Sequence, residues 1–236
     1  MRLDNPVAKG ARTCTSLPSL VCRPMPTTAA PQTHRWTRRE YHDLVDAGFL
    51  GEDEPVALIN GENIHTSPQN TPHAVAVCLV RRILQRVFSG DTYMVDEQLP
   101  LALGPESEPE PDVSVVEGQP RDVLDEHPLS AALVVEVVEA SFQSDRTRKR
   151  DLYARHALPE YWIVNLVDRQ LEVHRAPTGD AYPETAVRPD DETVSLWGQS
   201  VAVSDLLPQF RTPPHRSPER PDYAASPSAT SAVASS

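Results

Sequence analysis

From Thr37 to about residue 208, apolar positions fall into short periodic runs separated by turn residues. Thr37 with Glu40 three positions on has the form of a capping box, and Tyr41, Leu44 and Val45 continue at helical spacing until Gly48. PVALINGENIHT then reads as a β-hairpin, because Asn60-Gly61 tolerates the positive φ angles that a two-residue turn demands. After Pro72 the stretch HAVAVCLVRRILQRVF predicts a helix. Val75, Leu79, Ile83 and their apolar neighbours mark one face, with Arg81, Arg82 and Arg86 largely off it. Strands are expected at about 92–102, 112–116 and 132–139. A helix is expected at about 145–157, with Ser144 as N-cap and Asp145 near its positive end. EYWIVNL and QLEVHR form a second hairpin around Asp168-Arg169, and AYPETAV and TVSLWG predict shorter edge strands. The order helix, hairpin, helix, strands, helix, strands predicts an α/β (α+β) fold with a central mixed sheet flanked by helices.

Residues 1–34 and 209–236 mix Pro, Ser, Thr, Ala and Arg without periodicity. They read as a disordered leader and tail around one domain at 35–208, since they would bury too little apolar surface to offset the entropy of ordering. Met25 offers an alternative start within the leader. The formal charge of -12 argues against a passive nucleic-acid coat, which needs a broad basic surface, but leaves room for an enzyme with a local basic patch. Cys14 and Cys22 in the leader form no framework with Cys78, which is expected to be a core thiol on its helix. No run reaches the length of a membrane span and no signal-peptide core is present, so a cytoplasmic, reducing setting is expected.

The candidate chemistry lies in EPEPDVSVVE, AALVVEVVEA and SDRTRKRDLYARH. Alternation puts Leu133, Val135 and Val137 on one strand face and Val134, Glu136 and Val138 on the other. Both faces are apolar apart from Glu136, so the strand is covered on both sides. An ionised carboxylate there requires a metal, a cationic partner such as arginine, or a raised pKa. Asp112 after Pro111 opens the preceding strand; it is either turn chemistry or a second ligand on a paired strand. Hard oxygen ligands without thiolates favour Mg²⁺ or Mn²⁺ over zinc. The chain has 20 arginines and two lysines, and Lys149 is the only lysine in the expected domain. Lys149 shares a helix face with Asp145 and Tyr153, so an ion pair with Asp145 competes with a role as a compact point charge beside a metal.

From Trp36 to Pro208 the chain resembles the Uma-two family, a branch of the PD-(D/E)XK nuclease superfamily of restriction-endonuclease type. The resemblance is carried by TRREYHDLVDAG, LINGENIHTSPQNTPH, EPDVSVV and LVVEVVEASFQSDRTRKRDLYARHALPEYWIVNL. It implies a restriction-endonuclease-like core, with Asp112, Glu136 and the main-chain oxygen of Val137 as metal ligands. The superfamily often places its lysine two residues after the second acid, where this chain has Val138. In this branch the lysine is displaced onto the following helix, where Lys149 stands. His73 matches a recurrent family histidine, which implies a contact to phosphate or to the attacking water. Family members usually carry a glutamate before the Leu-Ile-x-Gly turn, and Ala57 replaces it here. The implied function is metal-dependent hydrolysis of DNA phosphodiester bonds, in a homodimer where both strands are cut. The alternative is a non-catalytic nuclease-fold scaffold, supported by Ala57 and the net charge; a different metal-dependent hydrolase is a third reading.

Overall fold

The structure, a computed structural model, describes residues 33–51, 56–65, 70–139 and 143–209, with side chains in the segment after 139 described from Arg146 onward. The expected leader and tail, Met25, Cys14 and Cys22 lie outside the described residues, apart from the few at each inner edge. Helix α1 (Arg38–Asp46) starts on the full capping box, with Thr37 and Glu40 each satisfying the other's backbone N–H. Strands β1 (Val56–Ile59) and β2 (Glu62–His65) form the first hairpin. Asn60 and Gly61 turn it with φ of 50° and 75°. A Cβ on Gly61 would stand 2.8 Å from that of Arg35, so glycine is required there for space as well as for φ.

Helix α2 (Thr71–Val87) is capped by Asn70, whose side chain accepts the His73 N–H at 3.2 Å. Six strands follow in one sheet of order β3-β4-β5-β6-β7-β8: β3 (Tyr93–Glu97), β4 (Val113–Glu117), β5 (Leu133–Val138), β6 (Glu160–Asn165), β7 (Gln170–Arg175) and β8 (Glu184–Pro189). Only β5 and β6 are parallel, and helix α3 (Gln143–Arg155) makes the crossover between them. The mixed sheet flanked by helices is therefore present. On one face α2 packs Ala76, Val77, Val80 and Leu84 against Leu133, Val135, Val137 and Trp162. On the other, Leu152 and Tyr153 of α3 and Ala57 and Ile59 of β1 cover Val134, Tyr161 and Ile163. The alternation expected for β5 holds on both faces.

Several sequence expectations are corrected. The strand expected at 92–102 ends at Glu97. Leu101 and Leu103 are buried beyond it, but their N–H groups bond Pro109 and Ser107 in a loop, and Pro100 has no N–H to extend a ladder. TVSLWG is no edge of the main sheet: β9 (Thr193–Leu196) pairs with an unanticipated β10 (Gln199–Ala202) in a separate hairpin. Arg175 ties that hairpin to the main sheet, bonding both buried Glu160 at 2.6 Å and the Ser195 carbonyl at 2.7 Å. Ser144 lies within α3, which begins at Gln143, and the Ser144 and Asp145 side chains lie outside the described residues.

Cys78 is exposed and is not a core thiol. The apolar arc of α2 is wider than the sheet can cover. Ala76, Val77, Val80 and Leu84 face the core, while Val75 is 42% exposed and lines a groove of about 450 Å³ with Cys78, Leu79 and Arg82.

His174 in β7 offers a test of this packing. It is stacked on Tyr161 at 5.4 Å, and its Nε2 is buried without a hydrogen-bond partner. Burial disfavours the imidazolium and lowers its pKa below the usual 6.5, with Glu172 opposing. The unfolded chain then takes up the proton first as pH falls, so the stability present above about pH 6.5 is lost through the acid side. Thermal melts of His174→Gln should show a weaker fall of Tm between neutral and acid pH than the parent protein; parallel curves would contradict it.

Candidate functional site

Strand register brings Asp112 and Glu136 face to face. β4 and β5 pair antiparallel with Val113 opposite Val135 and Ser114 opposite Val134. One step outward along both strands sets Asp112 opposite Glu136, and directly opposed residues hold their Cβ atoms about 5 Å apart. Asp112 stands just before the first residue of β4, not inside it, and its Oδ2 accepts the Val137 N–H at 2.7 Å. The expected third ligand, Val137, is thus already joined to Asp112 through its N–H.

The cap of α2 delivers His73 to the same place. Asn70 bonds the His73 backbone with one side-chain atom and donates to Glu139, just past the end of β5, with another. His73 Nε2 consequently lies 3.3 Å from Asp112 Oδ2. Burial works against the charged imidazole, but the Asp112 carboxylate, Glu139 and the Val137 backbone outweigh it and raise its pKa above the ordinary value.

Lys149 projects from the middle of α3 onto Glu136. Its Nζ donates to both carboxylate oxygens, at 2.9 and 2.8 Å, and the two side chains are about nine-tenths buried. Tyr153, one turn further along α3, donates its hydroxyl to Glu136 Oε1 at 2.8 Å. Burial raises the Glu136 pKa; Lys149 pulls it down, Asp112 pushes it up, and the balance is a raised value. Burial and then the Glu136 charge hold the Tyr153 pKa well above its ordinary value, so that hydroxyl stays a donor.

The four side chains expected from the sequence, Asp112, Glu136, Lys149 and His73, therefore come together. Tyr153 was missed as part of the site, although its spacing of four from Lys149 was the available signal. Glu110 was missed as well. It reaches the surface, yet burial and neighbouring Glu108 raise its pKa while Lys149 pulls it down, so it stands within electrostatic range of the lysine. The doublet EPEPD was its only mark in the sequence. Ala57, where the resemblance leads one to expect an acid, is buried in β1 against the α3 face. Glu62 does not take over that role: it is exposed and paired with Arg148 at 2.7 Å. The basic cluster on α3 is largely engaged, with Arg146 on Glu172, Arg148 on Glu62 and Arg150 on Asp151.

Two facing carboxylates that repel each other form a hard oxygen donor set suited to a magnesium-type cation. Among the described residues no group of three or more His, Cys, Asp or Glu side chains forms a metal cage. Magnesium is commonly held by one or two carboxylates, with water and substrate phosphate completing its shell, so the donor set fits that mode.

The buried pair makes a stability prediction. Lys149→Met leaves the buried Glu136 carboxyl without its cation and should cost about 3 kcal/mol at neutral pH. Adding Glu136→Gln to Lys149→Met should restore most of that loss in denaturant unfolding. Additive losses in the double variant would show that the two side chains do not depend on one another.

A family model, Uma2, described as "Putative restriction endonuclease", matches residues 38–204. Among solved structures the chain is similar to "a putative nuclease belonging to DUF820" from Anabaena variabilis ATCC 29413. The TM-score is 0.57 at 19% identity, over 69% of this chain and 96% of that one, a likeness of fold. No curated protein matches the chain. With a family model running from the start of α1 to the final turn after β10, the chain belongs to the Uma2 family.

Proposed function

We propose that this chain is a metal-dependent endonuclease hydrolysing phosphodiester bonds in DNA, through a domain spanning residues 35–208. The reading is carried by one observation: Asp112, just before β4, holds the Val137 N–H next to Glu136 on β5, with the Lys149 ammonium on both oxygens of Glu136. Asp112 and Glu136 would hold Mg²⁺ or Mn²⁺, with the Val137 main-chain oxygen as a further donor. That ion would supply Lewis-acid polarisation of the scissile phosphate.

The residues of the chain do the rest. Lys149 must first release an oxygen of Glu136, and its ammonium then stands where it can orient the attacking water and offset charge developing on phosphorus. The water oxygen forms a bond to phosphorus as the bond to the leaving sugar oxygen breaks, and a proton passes to that oxygen. His73 holds its Nε2 against Asp112 with a raised pKa, and would reach phosphate by turning that nitrogen from the carboxylate. Tyr153 fixes the rotamer of Glu136 through its hydrogen bond to Oε1, as a positioning residue. Two-strand cleavage with one site per chain calls for a homodimer.

A non-catalytic scaffold on the nuclease fold is the second reading. It is favoured by the closed Lys149–Glu136 pair and by the alanine at position 57. Calorimetry separates the two, since the endonuclease should bind Mg²⁺ or Mn²⁺ and Asp112→Ala should not. Plasmid, linear, branched and single-stranded DNA are the substrates to assay. Asp112→Ala and Glu136→Ala should each lower cleavage by about a hundredfold or more, and a chelator should abolish it. The nuclease reading is falsified if wild-type protein with either metal cuts none of these DNAs. Lys149→Arg should lose cleavage by a similar factor while retaining its fold and Asp112-dependent metal binding, because a planar guanidinium cannot replace a compact ammonium. Wild-type rates in that variant would reduce Lys149 to an ordinary cation.

A further inference from the structure

On the α3 side of the sheet, the first hairpin turn and α3 enclose a cleft of about 410 Å³ lined by Arg35, Ile59, Asn60, Glu62, Arg148 and Arg155. Three guanidiniums thus converge in a chain whose formal charge is -12. None of the three contacts Glu136 or Asp112. Arg155 Nη1 donates to Asn60 Oδ1 at 2.9 Å, and Arg35 Nη2 donates to the Asn60 carbonyl at 2.6 Å. Arg148 Nη1 donates to Glu62 at 2.7 Å, and Arg35 Nε lies 3.3 Å from Glu106. A guanidinium carries five N–H donors, so each of these contacts leaves planar donor capacity for another acceptor.

We propose that this cleft binds the phosphodiester backbone of the DNA away from the scissile bond, as an anchoring subsite for the nuclease reading on which it rests. Three features favour that occupant. The guanidinium fork matches phosphate oxygens bidentately, which a lysine cannot do, and it is arginine that lines the cleft. Arg148 and Arg155 lie seven residues apart on one side of α3, about 10 Å along its axis, far enough for each to take a separate phosphate of one strand. Arg148 also precedes Lys149 on α3, so one helix carries both the exposed arginine of the cleft and the buried candidate catalytic group. The competing partner is weak: Arg148 and Glu62 are each about half exposed, with side chains 49% and 52% accessible, so a phosphate can displace the pair at little cost.

Glu62 on this reading gates the cleft by occupying Arg148, and the turn geometry is part of the site. Gly61, which cannot accept a Cβ, lets the Arg35 segment lie against the turn with the Trp36 N–H on the Gly61 carbonyl at 2.8 Å. That contact sets the third arginine beside the two on α3.

The test is fluorescence anisotropy of the full chain with a short fluorescein-labelled DNA duplex in EDTA, which prevents cleavage, over a range of KCl concentrations. Arg148→Gln/Arg155→Gln should weaken binding by about tenfold and make the salt slope shallower by about two units, one per lost phosphate contact. Glu62→Gln should strengthen binding by about threefold, since it frees Arg148. A purely structural role for these pairs predicts instead a lower Tm in both variants with an unchanged salt slope, and that result overturns the proposal. So does wild-type protein that does not bind the duplex. Cleavage assays with Mg²⁺ run on the same variants separate the two ideas. Wild-type cleavage with binding indifferent to the arginines removes only the subsite. Arginine-dependent binding without any cleavage removes only the endonuclease.

Discussion

The buried ion pair between Lys149 and Glu136 is the constraint around which this molecule is arranged. A carboxylate in the middle of β5, apolar on both faces, is costly unless a cation reaches it. The cation comes from α3, so α3 must dock with Lys149 inward, and Leu152 and Tyr153 are carried into the core beside it. Docking of α3 in turn fixes the β5–α3–β6 crossover and the only parallel pairing of the sheet. The site and the architecture therefore share one interaction. That explains why Tyr153 adds a second hydrogen bond to Glu136 while filling the core.

Much of this was legible in the sequence where the cause is local. The capping box at Thr37, the Asn60-Gly61 turn, the two-faced alternation of β5 and the hairpin around Asp168-Arg169 each depend on residues within a few positions of one another. The Asp168 turn is closed by Asn165, whose side chain accepts the N–H groups of Val167 and Asp168. The misread segments depend on distant partners. Leu101 and Leu103 look like strand residues because they pack into the core on the α3 side, but their N–H groups bond the loop at 105–109 and not a ladder. Cys78 looked internal because helical periodicity shows which arc is apolar, not how much of that arc the sheet covers.

The site was legible in its members and not in their relations. Asp112 and Glu136 could be named from their strands, but their opposition depends on the β4–β5 register, which is set by a connection that carries no register signal of its own. The rarity of lysine marked Lys149, which the sequence left between an ion pair with Asp145 and a point charge beside a metal. Glu136 was left between a metal, a cation such as arginine and a raised pKa, and the structure joins the two residues to each other. The charge of the chain illustrates the same limit. A net value of -12 says nothing about the local clustering of Arg35, Arg148 and Arg155, two of them on one helix and the third on the segment entering α1.

Moving the lysine from the strand to α3 has a consequence for how the centre can vary. On a shared strand, the acid and the ammonium would be fixed to one another by two residues of rigid backbone. Here they are joined only through the seating of a helix, while Val138 is left free for packing. A small rotation or slide of α3 would change the distance between ammonium and carboxylate and carry Leu152 and Tyr153 with it, while Asp112 keeps its bond to the Val137 N–H. The sheet acts as the fixed jaw of the centre and the helix as the adjustable one.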